Sequence, residues 1–156
     1  MRTCEIPDFG TLHLDHLVLD FNGTLAVDGL LLPGVAERLA ALAADMTLHV
    51  VSGDTNGTAG AQLHGVDCKL FVLPHAEQAR LKRDYVLALG AAGVAAIGNG
   101  RNDARMLHSA ALGIAVLGEE GCAAQALAAA DVLARSITDA LDLLLHPKRL
   151  LATLRA

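Results

Sequence analysis

Residues 17–25 read Leu-Val-Leu-Asp-Phe-Asn-Gly-Thr-Leu, so an apolar run delivers Asp20 straight into an Asn22-Gly23 turn and Thr24. A carboxylate at the C-terminal mouth of a strand lies where open α/β sheets bind ligands, and beside turn N–H groups it can attack phosphorus to form an aspartyl phosphate. The same residues also suit a strand-ending Asp before an Asn-Gly hairpin. Partners further along the chain decide between the two. Ser52-Gly53-Asp54-Thr55 follows a second apolar run. A hydroxyl and a Gly at a strand-to-helix junction can hold a phosphate oxygen, or Asp54 or Thr55 can cap the next helix. Lys82, in the mixed run Arg80-Leu81-Lys82-Arg83-Asp84, is either a cation for phosphate or a solvated helix charge. Gly98-Asn99-Gly100-Arg101-Asn102-Asp103 fails as a dinucleotide loop because Asp103 stands where the third Gly belongs. What remains is a Gly-flanked polar loop with a carboxylate entering a helix, suited to hold Mg²⁺ beside a phosphate.

Short apolar runs alternate with helical stretches, which predicts an α/β fold: a three-layer, Rossmann-like, doubly wound and mainly parallel sheet. Strands are expected near residues 17–21, 47–52, 68–73, 94–98, 112–117 and 131–134. Helices are expected near 34–44, after Pro33, then 57–64, 75–90, 102–110, 122–129 and 136–145, with Pro147 closing the last. Residues 24–32 are too few for a helix and carry Asp28-Gly29 between apolar residues, so they read as a small β-hairpin flap beside Asp20. The chain reads as a single domain over residues 1–156, with an N-terminal extension 1–15 and a short helical tail 147–156. The Leu-rich tail should pack on something, a sister subunit among the candidates, so a homo-oligomer is one expectation.

Hydrophobic residues make up 53% of the chain and aromatics only 3%, which leaves the core to small aliphatic contacts. A net charge of −5 without a Lys/Arg cluster argues against nucleic acid. No apolar run reaches the ~20 residues that span a bilayer, and Glu5 and Asp8 break any signal-peptide layout. A cytoplasmic protein without membrane partners is expected. Cys4, Cys68 and Cys122 are far apart and the seven histidines are scattered, so neither disulfides nor a zinc site is suggested.

Taken together, these motifs resemble the haloacid dehalogenase superfamily of aspartyl-phosphate phosphotransferases, and within it the phosphorylation domain of P-type ATPases in free form. Asp20-Phe21-Asn22-Gly23-Thr24 resembles the nucleophile motif, and Ser52-Gly53-Asp54 with Thr58-Ala59 the ATPase stretch Thr-Gly-Asp then Thr-Ala. Lys82 with Val86, Leu89 and Gly93 fits the lysine motif, and Gly98 to Asp103 followed by residues 111–116 fits the metal loop and next strand. The resemblance covers residues 12–145 in the right order.

It implies Asp20 as nucleophile and Lys82 as its catalytic partner. Asn22, Thr24, Ser52, Gly53 and Asn102 would be phosphate contacts, and Asp20, Asn22, Asn99 and Asp103 would hold Mg²⁺. Two positions depart from the family pattern. Asn22 replaces the usual general acid/base Asp, which predicts slow turnover or a preference for good leaving groups. Asn99 replaces a metal-binding Asp and removes a negative charge. The spacings from Asp20 to Ser52 and from Ser52 to Lys82 leave no room for a cap domain. A small phosphorylated substrate or a macromolecular phosphoester would then meet an open site. The alternative is a binding or regulatory protein on an impaired phosphatase core.

Overall fold

The computed structural model describes residues 1–156. An antiparallel hairpin, β1 (Arg2–Ile6) and β2 (Gly10–Leu14), opens the chain and leads into β3 (His16–Leu19). A two-residue-per-strand hairpin, β4 (Ala26–Val27) and β5 (Leu30–Leu31), precedes α1 (Val35–Ala43) and β6 (Thr47–Ser52). Next come α2 (Ala59–Gln62), β7 (Lys69–Val72), α3 (Gln78–Ala88) and β8 (Val94–Gly98). The chain ends with α4 (Ala104–Ser109), β9 (Leu112–Val116), α5 (Ala124–Ala129), β10 (Val132–Ala134), α6 (Ile137–Leu145) and α7 (Pro147–Leu154).

Six strands form one parallel sheet in the order β10-β9-β8-β3-β6-β7. The chain winds outward from β3 in both directions, through β6 to β7 and through β8 to β10. The crevice at that reversal lies beyond the C-terminal ends of β3, β6 and β8, where Asp20, Ser52 and Asn99 stand. Alternation along β3 divides the core. Leu17 and Leu19 join the cluster under α1, α6 and the N-terminal hairpin, while Val18 joins Val86, Met106, Leu107 and Ala126 under α3, α4 and α5. β8 and β9 are buried along their whole length, as expected of strands covered on both faces.

The predicted flap is present, with Asp28 and Gly29 both at positive φ, the mirror-image turn that two-residue hairpins favour. The N-terminal extension pairs as a hairpin, because its alternating burial, ending in Ile6, matches the buried Leu12 and Leu14. Two expectations needed correction. The helix expected over 57–64 shrinks to α2, since Asp54 Oδ1 takes the N–H groups of Thr58 and Ala59 and starts the helix there. The helix expected over 75–90 begins only at Gln78, after Glu77 turns through a left-handed backbone at φ 60°.

The apolar tail also finds its partner within the chain. α7 starts at Pro147, buries Leu150, and lies beside α6 and β1, where Arg2 donates to the Leu144 carbonyl at 3.1 Å. Leu151 and Leu154 of the same helix are half-buried. No helix is long and apolar enough to cross a membrane.

Small residues let helices approach the sheet closely. A Cβ added at Gly113 in β9 would lie 2.4 Å from the backbone oxygen of Leu107 in α4. Gly113→Ala is therefore expected to lower stability by about 1–3 kcal/mol. Gly60→Ala in α2 meets only a Leu70 methyl at 3.9 Å and should be neutral or slightly stabilising. Thermal unfolding followed by circular dichroism checks both, and equal effects would contradict the close packing of α4 on β9.

Candidate active site

β3 ends at Leu19, and the Asp20 N–H still donates to Ile97 of β8 at 3.0 Å, so the carboxylate leaves the sheet in a fixed direction. The chain then folds back tightly, with the Phe21 carbonyl accepting from Thr24, Leu25 and Ala26. Gly23 makes this loop possible. Its φ is +77°, and a Cβ there would lie 2.6 Å from the Asn99 side chain of the neighbouring loop.

Lys82 reaches from α3 into the interior, fully buried, and its ammonium bonds Asp20 Oδ1 at 2.6 Å and Asp103 Oδ1 at 2.7 Å. The reading of Lys82 as a solvated charge is thereby excluded. The other Asp103 oxygen accepts the N–H groups of Asn99 at 3.0 Å and Gly100 at 2.8 Å. Asp103 thus shapes the loop after β8 while it holds the lysine.

Two carboxylates share one ammonium, which leaves one formal negative charge in a dry setting. Burial, then the nearby Asp103 carboxylate, push the Asp20 pKa up to about 6 although Lys82 opposes the shift. Burial alone would lower the Lys82 pKa, but the flanking carboxylates outweigh it and hold the pKa above the usual lysine range.

Above this group opens a cavity of about 260 Å³ with no hydrophobic residue in its lining. Of the predicted residues, Asp20, Asn22, Ser52, Gly53, Asn99 and Asn102 line it. Thr24, Lys82 and Asp103 do not. The Thr24 hydroxyl is buried, 3.4 Å from Asp20 Oδ2 and 3.2 Å from Asn99 Oδ1, between these two groups. Asp103, expected among metal ligands, is fully buried, with Oδ1 on the Lys82 ammonium and Oδ2 on two backbone N–H groups.

The Ser52 segment serves both of its readings through different residues. Asp54 caps α2, while Ser52 Oγ accepts the Asp54 N–H at 3.0 Å and keeps its own proton available to the cavity. Asn22 Oδ1 accepts from Asn56 at 3.1 Å, so the Asn22 side chain retains its amide donors. α2 also pins the flap. Thr58 donates to the Gly29 carbonyl at 2.6 Å, and the Leu31 N–H donates to Gln62 at 2.8 Å.

Sequence reasoning missed Gln78 and Glu120, and gave Thr55 only a capping role, yet all three line the cavity. Gln78 accepts from Asn102 at 2.9 Å. Its signal was its place one helical turn before Lys82, on the same face of α3. Glu120 had the signal of following another parallel strand. Its loop docks on Asn99, which donates to the Gly121 carbonyl at 3.1 Å.

The donor set suits a hard cation. Asp20 and the Asn99 amide oxygen converge on the Thr24 hydroxyl, and the uncompensated negative charge favours a cation there. No group of three or more His, Cys, Asp or Glu side chains is assembled for a metal, so amide oxygen, carbonyl oxygen and water would complete the shell.

No protein-family model matches the chain. Over 62 residues it is 48% identical to an uncharacterised protein of Methanocaldococcus jannaschii, a stretch covering 40% of this chain and 67% of that protein. Among solved structures it resembles 3-deoxy-D-manno-octulosonate 8-phosphate phosphatase of Moraxella catarrhalis, solved with magnesium and phosphate ions and KDO. The TM-score is 0.66 at 16% identity, over 92% of this chain and 94% of that one. The cobalt-bound deoxy-D-mannose-octulosonate 8-phosphate phosphatase of Haemophilus influenzae matches with TM-score 0.66 at 18% identity, over 88% and 90% of the two chains. Phosphoserine phosphatase in its apo form matches with TM-score 0.62 at 15% identity, over 85% and 98%. At such identities the likeness speaks for the fold. With its sheet wound outward from β3 and its motif loops gathered at one crevice, the chain has the fold of these phosphatases.

Proposed function

We propose that the protein is a Mg²⁺-dependent phosphatase or phosphotransferase acting on a small phosphorylated substrate through Asp20. The observation that carries this reading is the Asp20 carboxylate at the floor of a polar cavity, held at 2.6 Å by a fully buried lysine. The magnesium and phosphate ions bound by the Moraxella phosphatase support it.

In this reading Asp20 attacks phosphorus, and the bond to the leaving-group oxygen breaks with its electron pair going to that oxygen. Water then cleaves the aspartyl phosphate, releasing phosphate and restoring the carboxylate. Lys82 orients Asp20 from below, while Ser52, Gly53 and Asn102 offer donors to the phosphoryl oxygens. Asp20, the Asn22 carbonyl oxygen and Asn99 would hold Mg²⁺, which supplies charge neutralisation for the transferring group. Asn22 donates hydrogen bonds but has no acidic proton to give to a departing alkoxide. Acyl and aryl phosphates should therefore react fastest.

Only the flap and α1 separate β3 from β6, and only α2 and β7 separate β6 from α3, which favours an open, uncapped site. The ATPase-like character of the Ser52 segment rests on sequence resemblance alone. The amides at 22 and 99 favour one second reading, a protein that binds phosphate or metal with little turnover.

Phosphate release from acetyl phosphate, p-nitrophenyl phosphate and sugar phosphates in Mg²⁺ tests the first reading. Activity should favour the first two substrates and vanish in Asp20→Asn, whereas binding without release in the intact protein would support the second reading. Asn22→Asp should raise turnover of alkyl phosphates by ~10²-fold or more and that of acetyl phosphate far less. A uniform change across substrates would argue against a missing general acid.

The raised pKa of Asp20 makes a prediction for the metal-free protein. Because the folded-state value, about 6, lies above the ordinary 3.8, the ionised carboxylate weakens the fold above that pH, and the weakening is relieved as pH falls. Stability of the wild type relative to Asp20→Asn should thus rise by about 1 kcal/mol from pH 8 to pH 5. Urea unfolding in EDTA measures it, and a pH-independent difference would refute the assignment.

A further inference from the structure

Besides the catalytic cavity, Asn102 lines a larger concavity. It measures about 650 Å³ and is lined by Ala79, Arg101, Asn102, Ala104, Arg105 and Gln125. Asn102 lines both spaces, and its amide bonds Gln78 in the catalytic one, so the two adjoin across a single side chain.

Arg101 and Arg105 flank the point where the 3₁₀ turn Arg101–Asp103 runs into α4, and both line this concavity. Both are exposed, and neither takes part in any of the ion pairs of the protein. α3 packs against α4, yet its acidic side chains are already engaged. Asp84 is paired with Arg80 and Arg83, and Glu77, just ahead of the helix, with Arg80. The concavity therefore presents two guanidinium groups without anions, in a chain of net charge −5. Guanidinium forks match carboxylate and phosphate oxygens in bidentate fashion, and Asn102 and Gln125 add neutral donors. Ala79 and Ala104 leave the space between uncrowded, as a short carbon spacer requires.

We propose that this concavity is a second anion subsite, and that the substrate is a phosphoester bearing a further carboxylate or phosphate group. Arg101 and Arg105 hold that distal anion while the scissile phosphoryl group meets Asp20. The proposal rests on the phosphoryl-transfer reading of the catalytic cavity. It also gives an open site a grip on small substrates that depends on the second charge and not on an enclosing lid.

Calorimetric titration of the full chain in Mg²⁺ with methylphosphonate, 3-phosphonopropionate and 1,3-propanediphosphonate tests it without requiring turnover. At least one two-anion compound should bind about ten-fold more tightly than methylphosphonate, the size expected of one charge-assisted contact. Comparing the two distinguishes a carboxylate from a phosphate as the distal group. The double variant Arg101→Ala/Arg105→Ala should lose that increment, keep its affinity for methylphosphonate and keep its rate on p-nitrophenyl phosphate. Equal affinity for all three compounds in the wild type overturns the subsite and leaves the Asp20 reading standing. So does an equal loss of methylphosphonate binding in the double variant. Failure of every phosphonate to bind, together with absence of Asp20-dependent phosphate release, overturns both.

Discussion

The buried ammonium of Lys82 between Asp20 and Asp103 is the contact that joins the separate parts of this site. It ties α3 to the end of β3 and to the loop after β8, three elements remote in sequence. Removing a charge from water is expensive, and an unpaired buried charge more so. The two carboxylates together offset the cost of burying Lys82. One negative charge is left over, and Asp20 presents it to the polar cavity that it lines. The raised pKa of Asp20 expresses the same imbalance.

Around this group the loops are fixed by amides and hydroxyls. Asp103 holds two backbone N–H groups of its own loop, Asn99 holds the next loop through Gly121, and Thr24 sits between Asp20 and Asn99. The flap is pinned through Thr58 and Gln62, and Asn56 reaches across to Asn22. Asn22 and Asn99 make these contacts as neutral amides, and the cavity carries only Asp20 and Glu120 as lining carboxylates.

The parallel sheet was legible because its strands are short continuous apolar runs separated by helix-length stretches, a pattern set by local composition. The flap was legible from Asp28-Gly29 for a similar reason, since a two-residue turn with positive φ at both positions depends on those residues alone. Boundaries were less legible where a side chain intervened. Asp54 delays α2 and Glu77 delays α3, and both effects depend on a single residue's backbone or carboxylate within a polar stretch. The N-terminal hairpin was hidden because its alternation is read in full only against the surface it covers.

By itself the sequence determined the order of strand-end motifs, the neutral amides at positions 22 and 99, and the absence of zinc or disulfide spacing. All of these are properties of residue type and spacing. Tertiary structure decided the rest: that Lys82 is buried and not solvated, that Thr24 and Asp103 are buried and do not line the cavity, and that Gln78 and Glu120 join its lining. It also decided that α7 buries Leu150 within the chain. These outcomes depend on desolvation and on which side chains meet in space. Both are sums over neighbours contributed by distant segments, which no local pattern of residues encodes.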